Sequence, residues 1–282
     1  MATVGLLHPG EMGAAVGGCL VSVGHEVLWD PAGRSRATTG RALASELTGV
    51  GFDRVIAKSS AIFSICPPHA ALDVARQVAD TGYSGLYIDA NAISVGTAEQ
   101  VAAIVTAGGA TYVDGGIIGP PPEVAGHTRF YLSGPHANEV RPLFSRSRLD
   151  ARIAEGPLYA ASSVKMAYAA WTKGSSALLL AARALARASG VERTLLAEWQ
   201  LSQPALTAQS ERSASAAASK GWRWIGEMEE IAASMSAAGL PDGFHEAAAD
   251  LYDRASRADV PTGRKTATTA KETLDAIMSA LS

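Results

Sequence analysis

Between residues 2 and 134, short apolar and β-branched runs alternate with segments of helical spacing, and this alternation admits few folds. The runs 2–7, 25–30, 61–66, 85–90, 110–117 and 128–134 read as strands, and 12–23, 69–80 and 95–108 as helices. Strand–helix–strand repetition builds a parallel or mostly parallel sheet with helices on both faces. The character changes near Gly156-Pro157. From Ala160 to Ser189 almost nothing interrupts a helix, and Gly174 is its expected bend. Helical segments follow at 192–202, 205–219, 223–238, 243–256 and 264–281. Gly190, Pro204, Gly239-Leu240-Pro241 and Pro261-Thr262-Gly263 punctuate them. The expected architecture is α/β: a doubly wound sheet in residues 1–157, then an all-helical C-terminal domain in 158–282.

Composition narrows the function classes. Hydrophobic residues make up 48% of the 282 and charged residues 18%, a globular balance that argues against a disordered chain. A net charge of −3 supplies no broad basic field, so neither nucleic acid nor an anionic membrane is an expected partner. The apolar stretches fall short of the roughly 20 residues of a membrane span, and no basic segment precedes the first one as in a secretion signal. Two cysteines, Cys19 and Cys66, make no disulfide framework, and a reduced, cytoplasmic setting is the expectation. Neither H-x-x-x-H nor C-x-x-C spacing occurs, so no metal site is expected.

The segment VGLLHPGEMG, residues 4–13, turns an apolar strand into a helix through glycines. A dinucleotide-binding turn must bend tightly, let backbone approach a pyrophosphate, and pack its helix closely on the strand. Gly10 and Gly13 stand where the second and third needs arise, and His8 takes the place of the first glycine. Pro9 favours an extended His8 with negative φ. His8, Pro9, Gly10, Glu11, Met12 and Gly13 thus read as an altered cofactor cradle of a Rossmann-type domain, at a helix start whose free N–H groups favour anions. Asp30, ending the second strand, suits ribose hydroxyls and argues for NAD. Arg34 and Ser35, followed by Arg36, suit a 2′-phosphate and argue for NADP.

Further strings follow in order: GHEVLWD at 24–30, SICPPHAALDV at 64–74, YIDANAIS at 87–94, DGGIIGPP at 114–121 and GPLYAASSVKMAYAAW at 156–171. Together with the glycine turn they resemble the β-hydroxyacid dehydrogenase family, which includes 6-phosphogluconate dehydrogenase and is related to the imine reductases. LHPGEMG, CPP, DGGIIGPPP and KMAYAAWTKG are similar to a bacterial branch of NAD-binding 6-phosphogluconate dehydrogenase-like proteins. The resemblance implies hydride transfer between a nicotinamide and a hydroxy acid or related alcohol/carbonyl substrate. It also implies a site between the two domains and a homodimer interlocked through the helical one. It sets Cys66, Pro67, Pro68 and Asn91 beside the cofactor, Ile118, Gly119 and Pro120 on the substrate loop, and the catalytic lysine at Lys165. Family members that use NADP carry N-R-[ST] where this chain has Gly33-Arg34-Ser35, so NADP is favoured and NAD is the alternative.

The residues themselves support a proton-transferring Lys165. An alanine-rich, apolar helix keeps an early lysine from full solvation, and partial burial lowers its pKa. Lys173 shares that face approximately and is the competing candidate. Two departures stand out. The family's helper asparagine is Ala169 here, and Tyr168, one turn from Lys165, offers a hydroxyl instead. The substrate-loop serine is Ile118, followed by Gly119 and three prolines, which suggests a bulkier or less charged substrate. Trp171, Trp222 and Trp224 are expected to line an apolar pocket. His245 is either a second proton donor or substrate contact, or a structural histidine. Glu227, Glu229 and Glu230 read as a solvated helix face, and Cys66 as packing. Imine reduction and a non-catalytic NADP-binding sensor or scaffold are the rival functions.

Overall fold

The computed structural model describes residues 1–259 and 270–281. The expected breaker Pro261-Thr262-Gly263 and the expected helical residues 264–269 lie outside the described residues. The first part of the chain runs β1 (Thr3–Leu7), α1 (Glu11–Ser22), β2 (Glu26–Trp29), α2 (Arg36–Ala44), β3 (Thr48–Gly49), α3 (Phe52–Lys58), β4 (Ala61–Ser64), α4 (Ala71–Ala79), β5 (Leu86–Asp89) and α5 (Val95–Ala107). It continues through β6 (Thr111–Ile118), β7 (Arg129–Ser133), α6 (Ala137–Val140) and β8 (Asp150–Ile153). Then come α7 (Ala160–Ala188), α8 (Glu192–Ser202), α9 (Leu206–Ala237), α10 (Gly243–Ser256) and α11 (Ala270–Leu281).

The strands form one sheet in the order β3-β2-β1-β4-β5-β6-β7-β8. Every pairing is parallel except β6 with β7. Strand order reverses between β1 and β4, and the carboxyl edge at such a switch point is where doubly wound sheets bind ligands. Register sets that edge: Leu7 lies beside Ser64, Ser64 beside Asp89, and Asp89 beside Asp114. Strand β6 alone of these runs on, to Ile118. Strands β3 and β8 and the short helices α2 and α3 were not legible as elements, because each is brief and β3 spans only 2 residues.

Two apolar layers sandwich the sheet. One gathers Leu6, Val16, Leu20 and Trp29 with Phe63, Phe130 and Phe144, whose rings meet at 5.5–6.3 Å. The other gathers Ile62, Val74, Tyr87, Ile93 and Val101 under α4 and α5. Alternate strand residues feed opposite layers, as Ile62 and Phe63 do.

The chain divides into compact units at Met1–Met166 and Ala167–Ser282, inside α7 rather than at the expected 157/158. Helix α7 runs 29 residues without a break at Gly174. Helix α9 joins the two segments expected at 205–219 and 223–238 into 32 residues. Gly221 does not end it: the missing side chain there faces the Tyr252 carbonyl of α10, at 3.2 Å from a built Cβ, so close helix packing explains the glycine. Among the described residues no helix is long and apolar enough to cross a membrane, and no group of three His, Cys, Asp or Glu could hold a metal.

A buried ionic lattice ties the helical unit. Arg183, 5% exposed, donates to Glu192 Oε1 of α8 at 2.8 Å and to Ser210 Oγ of α9 at 2.6 Å. Arg187 reaches Glu192 and, on α11, Asp275 at 2.9 Å. Glu192 is held below its usual pKa by these hydrogen bonds, chiefly from Arg187. Arg183→Ala removes the hydrogen bonds from a buried guanidinium to Glu192 and Ser210, and the expected outcome is a loss of about 1.5–3 kcal/mol in urea unfolding.

Candidate functional site

The turn from β1 to α1 is built on His8, at φ +65°. This corrects the expected extended, negative-φ histidine. The Gly10 N–H closes on the His8 carbonyl at 2.8 Å, and a Cβ on Gly13 would lie 2.5 Å from the same oxygen. That bond and the close seating of α1 hold the left-handed turn against its intrinsic cost of about 1–2 kcal/mol. Histidine tolerates the region better than most residues. Pro9 is buried behind the turn, Glu11 is exposed, and Met12 packs on the core.

The start of α1 is open at Gly10. Gly10 caps α1 without any side-chain hydrogen bond, and nothing lies within 4 Å of the place its Cβ would take. The N–H groups opening α1 are therefore not covered by a side chain at Gly10. Two buried nitrogens at this end of the sheet, His8 Nδ1 and Arg34 Nε, have no hydrogen-bond partner among the described residues. Burial, aided by the positive charge of Arg34, lowers the His8 pKa to about 4.

At the end of β2, Asp30 Oδ1 accepts the Ala32 N–H at 3.0 Å and so closes its own turn. Ser35 caps α2, its Oγ accepting the Thr38 N–H at 3.2 Å. The two side chains do not pair. On the other side of β1, Asn91 is 2% exposed and braces the Cys66-Pro67-Pro68 loop. Its Oδ1 accepts the Cys66 N–H at 2.6 Å, its Nδ2 donates to Ser64 Oγ at 3.1 Å, and its own N–H donates to Asp89 Oδ1 at 2.9 Å. Burial and the neighbouring Asp89 push the Cys66 thiol up to about 12, which suits packing and not nucleophilic work.

Lys165 is set by β6. Asp114, 1% exposed, receives the Ser162 hydroxyl at 2.5 Å, the Ser162 N–H at 3.0 Å and the Ser133 hydroxyl at 2.6 Å. Ser133 Oγ in turn accepts the Ala161 N–H at 3.0 Å. The first turn of α7 is thus tied to the sheet by a carboxylate, where the helix dipole favours negative charge. Burial raises the Asp114 pKa, and the hydroxyl and amide donors oppose that rise. Two residues along β6, a Cβ on Gly116 would lie 2.6 Å from the Ala161 carbonyl and 3.0 Å from Lys165 Cβ. Lys165 therefore stands on the part of β6 that passes the carboxyl edge of β1, β4 and β5. Asp114, Ser133 and Ser162 were not singled out from sequence, although the strings DGG and ASSVK contain the signal.

The substrate-loop candidates are stiff. Ile118 is a buried strand residue at 4% exposure, so its side chain is packing. Gly119 needs its φ of +124°, and Thr128 Oγ1 donates to the Pro120 carbonyl at 2.5 Å.

In the helical unit the expectations divide. Tyr168 is 45% exposed, Trp171 74% and Trp222 59%, so none is core. Trp224 packs edge-on against Tyr252 instead of lining a pocket. Glu227 is buried and ion-paired with Lys173, which corrects its reading as a solvated residue, and Glu229 remains exposed. His245 is buried between Phe244 and Gly174. Neither ring nitrogen has a hydrogen bond of normal geometry, and burial lowers its pKa against the pull of the Ala170 carbonyl.

The sheet order, the long helix and the helical region after it are the fold of the 3-hydroxyacid dehydrogenases. Residues 186–255 match the model of a family described as a domain of unknown function, DUF1932. Compared by sequence with curated proteins, the chain matches none. The conserved protein MTH1747, described as of unknown function and structurally similar to 3-hydroxyacid dehydrogenases, is 25% identical over 90% of this chain and 97% of its own, with a TM-score of 0.66. The 3-hydroxyisobutyrate dehydrogenase ygbJ of Salmonella typhimurium is 17% identical over 98% and 99%, with a TM-score of 0.69. A reductive aminase from Aspergillus terreus, solved with NADPH and ethyl levulinate, is 19% identical over 98% and 99%, with a TM-score of 0.57. The motif resemblance and the fold thus agree.

The His8 environment carries a pH signature. An unfolded histidine protonates near pH 6.5, whereas folded His8 resists until about 4. Acidification through this window loads the unfolded state first and lowers stability. Chemical unfolding from pH 7 to 4 is expected to show a smaller acid loss in His8→Gly than in the wild type.

Proposed function

We propose that the chain is a cytoplasmic NAD(P)-dependent oxidoreductase. It moves a hydride between nicotinamide and a hydroxy acid or related alcohol/carbonyl substrate, with Lys165 as general acid/base. The observation that carries this reading is the tie of the α7 first turn to β6 through Asp114 and Gly116. It sets Lys165 on the same sheet edge as the glycine cradle. When bound, the cofactor supplies the hydride-carrying carbon of its nicotinamide ring. The N–H groups that open α1 after Gly10 receive its pyrophosphate. Arg34, whose Nε has no partner among the described residues, supports a 2′-phosphate and hence NADP, the form found in the reductive aminase. NAD stays the alternative, through Asp30.

Lys165 exchanges a proton with the substrate oxygen as the hydride moves, so charge does not accumulate there. Tyr168, one turn further along α7, is the assisting hydroxyl. The proline-stiffened loop at Gly119 and Pro120 offers no side-chain donor for a carboxylate, which favours an apolar substrate body. Imine reduction is the second reading, favoured by the aminase likeness and this apolar loop. An ammonium at Lys165 opposes it, since like charges repel an iminium.

The reading includes a homodimer. Tyr168, Trp171, Leu178 and Leu185 are exposed and recur at heptad spacing along α7, a seam that suits a second copy of the helix. Light scattering is expected to give a dimer, and the double substitution Trp171→Asp with Leu185→Asp a monomer. Fluorescence titration is expected to show NADPH binding at least about tenfold tighter than NADH, a preference Arg34→Ala removes. Lys165→Ala should keep that binding and lose about 10²–10⁴ in kcat. Full turnover in Lys165→Ala would end the acid/base assignment.

A further inference from the structure

His8 does more than replace a glycine. Glycine would serve the left-handed turn at lower cost, so the imidazole is an addition the backbone does not require. It adds to the turn before α1 a buried nitrogen with no hydrogen-bond partner among the described residues, and an orphaned polar atom of this kind normally costs stability. We propose that His8 is a proton-coupled ligand of the dinucleotide, its imidazole taking up one proton from solvent as the cofactor phosphates settle on the start of α1. This rests on the nicotinamide-cofactor reading above.

The charges around the ring determine the sign. Arg34, from the loop before α2, acts on the imidazole and disfavours protonation, as does burial. Cys66 lies in the loop after β4, Asp89 ends β5, and Glu11 on α1 is exposed. The thiol is neutral, because burial and Asp89 keep it so. With no cofactor the ring is therefore neutral at physiological pH. A dinucleotide brings at least two negative charges to the turn. One opposite charge within about 4–6 Å favours a cationic group by roughly 1–3 pKa units, which brings His8 from about 4 to roughly 5–7, and the second charge acts in the same direction. Phosphate binding and protonation then reinforce each other, because the pyrophosphate charge offsets the repulsion between the new imidazolium and Arg34. Binding should consume protons, and affinity should rise as pH falls from 7.5 to 5.5.

The test is calorimetric titration at pH 6.0 in two buffers of different ionisation enthalpy, on wild type, His8→Gly and His8→Asn. Glycine and asparagine both suit positive φ, so the turn is kept. NADP⁺ and NAD⁺ are the probes, and the NAD⁺ phosphates do not themselves titrate in this range. The wild type is expected to take up roughly 0.5–1 proton more per bound cofactor than either variant. Its affinity advantage over them should grow about tenfold between pH 7.5 and 5.5. Equal proton uptake in all three proteins, or no uptake by the wild type with NAD⁺, overturns the role of His8 and leaves the cofactor reading intact. Failure of the wild type to bind either dinucleotide removes both.

Discussion

The carboxylate of Asp114 fixes where helix α7 meets the sheet. It sits in the core, pays no attention to solvent, and receives donors from Ser133 and from the first turn of α7. It takes the Ser162 N–H directly, and Ser133 takes that of Ala161, so amide groups that the start of a 29-residue helix would otherwise leave open are satisfied. Because Asp114 is level with Asp89 on the sheet, the helix is moored at the carboxyl edge, and Gly116 lets it lie directly on the strand. Removing either the carboxylate or the bare glycine would displace the lysine that follows one turn later.

The broad fold is legible in the sequence because long elements advertise their period. Alternating strands and helical segments give the sheet, and an alanine-rich run gives α7. Glycines mislead where they serve packing: Gly174 and Gly221 look like interruptions but lie within continuous helices facing α10. Tertiary contact outweighs the roughly 1 kcal/mol that each costs as a helix residue. Short elements such as β3 have too few residues to show any period.

The site is legible in its residue types more than in their partners. Gly10 leaves open space where its Cβ would lie, and Gly13 permits the close contact of α1 with the His8 carbonyl. His8 shows the limit of local rules. A following proline argues for extended backbone, yet a single hydrogen bond and the seating of α1 impose the opposite sign of φ. Glu227 fails for a similar reason: its partner Lys173 is distant in sequence, so its burial cannot be inferred from its neighbours along α9. Asn91 looks like a ligand-facing amide, but most of its hydrogen bonding goes to holding two loops together.

The state of the two thiols has a practical consequence. Cys19 is buried with a raised pKa, and Cys66 is held near 12, so neither offers a thiolate at neutral pH. The helical residues beyond Met166 contain no cysteine at all. A single cysteine introduced on an exposed position of α7 or α9 would thus be the chain's one reactive sulfur. Spectroscopic labels could be attached there without first stripping the native thiols, leaving the packing beneath the His8 turn untouched.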